Sequence, residues 1–171
     1  MILVAACLSG CISLADVFDT EQERDLSSQY DDAGIKTGIT SALLKQSATR
    51  ANDVDVHCFR GHVFLVGEAD KEFRVFALDT ARNTQGVVHV TTHWFPSGTA
   101  ATADDAALEA AIAQKVHSFA GGPSSQLAID AWGGNIVLTG IVPSQAEINK
   151  AIAAAKGTSG VKSVTSYLVP H

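Results

Sequence analysis

The chain is expected to fold as two tandem copies of a small α+β domain. Three features predict this: an internal repeat at an offset of 73 residues, a switch within each copy from helical to alternating apolar spacing and back, and glycines that close equivalent strands in both copies. Each copy reads as α-β-β-α-β, a three-stranded mixed sheet with two helices on one face.

The first helix of each copy rests on an i, i+4, i+8 stripe. Asp32 pairs with Asp105, Ile35 with Leu108, Ile39 with Ile112 and Leu43 with Val116, and Phe119 extends the second stripe by a turn. The two acids are read as residues at the positive end of a helix. A hairpin follows, with Val54, Val56, Val63 and Leu65 in one copy and Leu127, Ile129, Ile136 and Leu138 in the other. Arg60-Gly61 and Gly133-Gly134 supply the tight turns, and Gly67 and Gly140 end the second strands.

The second helix starts at a capping box, Ser144-Gln145-Ala146-Glu147, with Asp70 as the equivalent cap in the first copy. Val75 and Leu78 in one copy, and Ile148, Ala151, Ile152 and Ala155 in the other, are its expected buried stripe. The offset then becomes 74, pairing Gly86-Val87 with Gly160-Val161, Val90 with Val164 and Trp94 with Leu168. The extra residue falls in Gly157-Thr158-Ser159, a turn where an insertion costs little. The expected divisions are a signal remnant at 1–11, an acidic tether at 12–30, domains at 31–95 and 104–171, and a linker at 96–103.

Charge adds little to this partition and excludes one class of partner. Of the net −6, residues 12–30 hold −4 (five acids against Arg24), 31–95 hold −1 (eight against seven), and the remainder holds −1 (five against four). Neither copy has the clustered basic surface a nucleic-acid backbone requires. No apolar run after the N-terminus is long enough to cross a bilayer.

The helix, the hairpin around glycine, the endings Leu65-Val66-Gly67 and Leu138-Thr139-Gly140, the second helix and the closing Gly86-Val87-Val88-His89-Val90 and Gly160-Val161-Lys162-Ser163-Val164 resemble the BON domain, over 32–95 and 105–169. At the N-terminus Leu8-Ser9-Gly10-Cys11 resembles the lipobox of bacterial lipoproteins, which implies lipid attachment at Cys11. Val4-Ala5-Ala6-Cys7 is a poorer match. The apolar stretch is short and lacks a basic lead, so the true start is expected upstream. Ile12, rather than aspartate, after that cysteine resembles an outer-membrane address.

A lipobox before two such domains is similar to the dual-BON outer-membrane lipoproteins of Gram-negative bacteria. That resemblance implies a non-enzymatic protein, lipid-anchored on the periplasmic side of the outer membrane, that binds phospholipid and maintains the envelope. Its partners would be a phospholipid membrane, anionic headgroups included. It implies that the lipid-facing part is the first helix of the second domain, from about Asp105 to Phe119. The exposed side of that helix is expected to carry Glu109, Gln114, Lys115, His117 and Ser118. Lys115, His117 and Trp132 are the candidate phospholipid-binding residues.

The other strand parity is also apolar, with Phe59, Phe64 and Val66 in one copy and Trp132 and Val137 in the other. Such a face is covered by the other domain or a partner, or it meets lipid or another apolar ligand. A protein-interaction adaptor of the envelope or secretion machinery, using that aromatic face, is the alternative function.

Cys58 shares the buried parity of Val54 and Val56, which makes it a core thiol rather than a reactive one. His57, His62, His89 and His93 cluster in the first copy, mostly on the parity away from the helices, with no carboxylate or cysteine at metal-ligand spacing. No cofactor, metal or catalytic residue is expected, since the nucleophile elbow, phosphate loop, zinc-protease and dinucleotide motifs are all missing.

Overall fold

The computed structural model describes the backbone of residues 15–99, 103–120 and 126–170, and side chains within 31–99, 104–118 and 126–170. The first unit contains α1 (Ala15–Gln46), α2 (Ala48–Ala51), β1 (Val54–Phe59), β2 (His62–Gly67), α3 (Lys71–Arg82) and β3 (His89–Trp94). The second contains α4 (Ala103–Ala120), β4 (Gln126–Trp132), β5 (Asn135–Val142), α5 (Gln145–Lys156) and β6 (Ser163–Pro170). The α+β class and its duplication are as the sequence predicts. Phe119, residues 121–125 and both N-terminal cysteines lie outside the residues whose side chains are described.

In each sheet the second strand is central. It pairs antiparallel with the first through a tight hairpin and parallel with the third, which the crossover helix returns to the opposite edge. The expected stripes are buried: Ile35, Ile39 and Leu43 on α1, and Leu108, Ile112 and Val116 on α4. They pack with the inward strand residues Val54, Val56, Val63 and Leu65, or Ala131, Ile136 and Leu138, into one core per unit.

Gly67 and Gly140 explain the strand endings. Their φ angles are +150° and +136°, and a Cβ at either would lie 2.0 Å from the carbonyl oxygen of Asp53 or Gln126. Only glycine fits the last rung of this hairpin. At the opposite end Arg60 (φ 53°) and Gly61 (φ 74°) form the left-handed two-residue turn that matches strand twist.

Three elements differ from expectation. Helix α1 begins at Ala15, within the acidic segment 12–30, so Asp32 lies in the middle of a helix rather than at its start. In α3 the buried residues are Phe73, Ala77 and Ala81, with Phe76 partly buried against the core. Val75 is 53% exposed and Leu78 is half-buried. The sheet selects the small alanines because they allow close approach, while the larger residues flank the contact. Finally, Glu109 does not face solvent, since its Oε1 accepts the Ala131 N–H at 2.8 Å and ties α4 to β4.

The helix caps follow the sequence more closely. Asp70 Oδ1 accepts the Phe73 N–H at 2.9 Å, and Ser144 Oγ accepts that of Glu147 at 3.3 Å. Among the described residues no helix is long and apolar enough to cross a membrane.

Candidate functional site

The two acids matched by the repeat serve the hairpin turns. Asp32, buried on α1, accepts from the N–H groups of Arg60 at 2.5 Å and Gly61 at 2.7 Å. Asp105, buried on α4, accepts from Gly133 at 2.7 Å and Gly134 at 2.8 Å. Each carboxylate satisfies the two donors that a left-handed turn aims into the protein, fixing hairpin to helix. In the first unit Cys58 Sγ also donates to Asp32 Oδ1 at 3.1 Å. Burial, then the Asp32 carboxylate, push this thiol up to about 12, so it is a core group with little thiolate at neutral pH.

The two sheets meet face to face, leaving the helices on the outside of a helix-sheet-sheet-helix sandwich. Val66, Phe95, Trp132 and Val137 form a third apolar cluster in this seam, with Tyr167 at its margin. Phe95 and Trp132 stack with centroids 5.6 Å apart and planes 12° from parallel. Phe64 is 1% exposed, packed by His62 at 4.2 Å and Phe59 at 6.0 Å. Interdomain packing is therefore the explanation, of those open from sequence, that accounts for the apolar outer parity.

Polar contacts across the seam join equivalent positions of the repeat. His57 Nε2 donates to Asp130 Oδ1 at 2.7 Å, and these residues are 73 apart. His93 Nδ1 lies 3.1 Å from the Tyr167 hydroxyl, and these are 74 apart. Positions that meet their own counterparts mark the axis of an isologous interface, here formed within one chain. The acids near the first contact are perturbed together. Loss of solvation and then Asp130 raise the Asp55 carboxyl, and burial is the main cause of a rise at Glu109, aided by Asp130 and Asp55. Asp130 Oδ2, Trp132 Nε1 and Thr139 Oγ1 are buried there without a protein partner.

The candidate phospholipid residues are not gathered at one place. Trp132 is 7% exposed inside the seam and offers no surface to a bilayer. Lys115 and His117 are exposed near the C-terminal end of α4. Lys115 Nζ donates to Thr158 Oγ1 at 2.8 Å and the Gly157 carbonyl at 3.2 Å, closing the end of α5. Cys11 lies outside the described residues. Sequence reading overlooked two further lysines of the outward layer, Lys150 and Lys156, both exposed on α5. Their signal was available, because both fall off the stripe of Ile148, Ala151 and Ala155.

The four first-unit histidines lie on the seam parity as predicted, yet each has its own partner. His62 Nε2 is 2.9 Å from Thr91 Oγ1, and the His62 and His89 rings meet edge-on at 4.6 Å. Among the described residues, no three His, Cys, Asp or Glu side chains form a group able to hold a metal ion.

The domain boundaries of this architecture coincide with a family model. The BON domain model matches residues 31–93 and again 104–169. The chain belongs to the BON domain family. As a tandem BON chain it is 29% identical over 143 residues to an uncharacterized protein of Anaplasma centrale encoded in the gshII 5' region, covering 81% of this chain and 93% of that protein. Two solved structures of CdsD, a structural protein of the type III secretion system of Chlamydia trachomatis, one of them of its C-terminal domain, are more distant. They share 12% and 13% identity with TM-scores of 0.34 and 0.32, each over 82% of this chain and 67% and 64% of theirs.

Proposed function

We propose that this BON protein is a non-enzymatic envelope lipoprotein, anchored through Cys11 on the periplasmic side of the outer membrane, that engages phospholipid with its second domain and helps maintain the membrane. One observation carries this reading. With both aromatic sheet faces turned inward, the surface offered to a membrane is helical, and the second domain's layer of α4 and α5 exposes Lys115, His117, Lys150 and Lys156.

The magnitude suits a tethered protein. A lysine near an anionic bilayer contributes about 1 kcal/mol, so three give roughly 3 kcal/mol, weaker than a millimolar affinity. The lipid on Cys11 would supply the second signal, and the two together hold a protein at a membrane. The adaptor alternative needed the aromatic sheet face. Phe64 and Trp132 are both buried in the seam, so nothing on that face supports it.

The test is co-sedimentation of the full chain, acylated at Cys11, with vesicles of phosphatidylcholine alone or mixed with phosphatidylglycerol. Stronger binding is expected for the anionic vesicles and should fall when Lys115 and Lys156 are both changed to glutamate. Folded protein that sediments equally with both vesicles, or whose sedimentation the double charge reversal leaves unchanged, would overturn the reading.

A further inference from the structure

The seam holds one histidine at each of its two axis contacts, and the two have opposite surroundings. His57 faces a buried carboxylate, Asp130, at 2.7 Å. His93 is wedged between aromatic rings, with Phe95 edge-on at 4.8 Å and Tyr167 at 5.8 Å, and its nearest cross-seam partner is a neutral hydroxyl. A proton added to the first histidine creates an ion pair. A proton added to the second places a charge among rings with no carboxylate bonded to it.

The geometry points to a proton-sensitive hinge between the two BON domains: mild acid releases the β3–β6 side of the seam, while the β1–β4 side stays closed on the His57–Asp130 bond.

The remaining groups around the seam fit this division. Asp55 and His57 face it from β1, His62 from β2, His89 from β3, Asp130 from β4 and Tyr167 from β6, while β5 presents only Asn135, Val137, Thr139 and Ile141. Glu109 and Asp105 from α4 and Lys36 from α1 act on the acidic β1–β4 end. Burial lowers His93, opposed only in part by Asp130, and burial followed by His89 lowers His62. For a histidine lowered in the closed form, the stabilisation is complete above its ordinary value of 6.5 and is lost as pH falls below that. At the other end the raised carboxyls of Asp55 and Glu109 act in the opposite sense. Each destabilises the closed form when ionised, and that burden is relieved as pH falls through its raised value toward the ordinary one. Acid therefore loosens one side and tightens the other, so the domains change pose without separating.

The experiment is NMR of the full chain between about pH 7.5 and 5.0, following nuclear Overhauser contacts on both sides of the seam. Contacts between the His93 and Tyr167 rings should disappear as His93 titrates, while those between β1 and β4 around His57 and Asp130 persist. In His93→Gln the ring resonances of Tyr167 and Phe95 should no longer respond to pH. The wild-type titration decides the matter even if that variant does not fold. Persistence of the His93–Tyr167 contacts once the His93 ring has titrated, or loss of both sets of contacts together, would overturn the hinge.

Discussion

Asp32→Ala should be among the most damaging substitutions in the first domain, although Asp32 lies mid-helix. Its carboxylate accepts from Arg60 N–H and Gly61 N–H, bonds to a charged acceptor that each contribute about 1.5–3 kcal/mol. Arg60 is exposed and water can replace most of its bond, whereas Gly61 is buried and would be left as an unpaired donor, at a cost of about 1–3 kcal/mol. The sum is about 3 kcal/mol, or a melting temperature lower by roughly 6–12 °C for a chain of this size. Thermal and urea denaturation of the full chain measure it, with exposed Asp31→Ala as the neighbouring control, expected within about 0.5 kcal/mol of wild type. The variant should also lower the Cys58 thiol from about 12, because one of its causes is removed while burial remains, and so speed its reaction with a thiol reagent. If Asp32→Ala melts with wild type, the turn-capping role is refuted.

Three further outcomes follow from the same structure. Gly140→Ala should destabilise the second domain by about 3 kcal/mol or more by urea titration, since its Cβ meets the Gln126 carbonyl at 2.0 Å in a backbone conformation that strains L residues. Trp132→Ala should cost about 3–5 kcal/mol and loosen the seam, read as faster amide exchange around Phe95; protection equal to wild type there would contradict face-to-face packing. Asp70→Asn should lower the melting temperature at neutral pH. The Phe73 N–H, with Arg50 contributing, holds the Asp70 carboxyl below its ordinary 3.8, so the stabilisation is present above that value and lost as pH falls through the lowered one. The difference between variant and wild type should shrink as the pH falls through the lowered value of the Asp70 carboxyl.

What could be read from the sequence was whatever depends on local spacing. The stripe of Ile35, Ile39 and Leu43, the alternation of Val63 and Leu65, the Asp70 and Ser144 caps and the terminal glycines each leave a short-range signature, and duplication doubled every one. The missed features are set by contacts distant in the chain. Asp32 resembled a helix-start residue and lies mid-helix, while Asp105 does stand in the first turn of α4; for neither does anything within a few positions show that the partners of the carboxylate lie 28 and 29 residues away. The buried face of α3 went to Phe73, Ala77 and Ala81 because closeness to the sheet, rather than hydrophobicity alone, decides which residues it covers. Trp132, taken from the sequence as a phospholipid candidate, lies in the seam instead, because spacing along one strand cannot distinguish another domain from a membrane.

The meeting of equivalent positions across the seam bears on how the chain came to be. Two identical copies closing by the same rotation would set histidine against histidine, or aspartate against aspartate, wherever His57 now faces Asp130. Like groups at such a point repel or stay unpaired, and no substitution in a single shared gene can correct one side without altering the other. Fusion removed that constraint. A donor and an acceptor could then be placed at one point, as could the imidazole and phenol of His93 and Tyr167. The join between the halves is thus more specific than any self-complementary surface could be, and exchanging one half for a second copy of the other should leave a protein that folds but does not close.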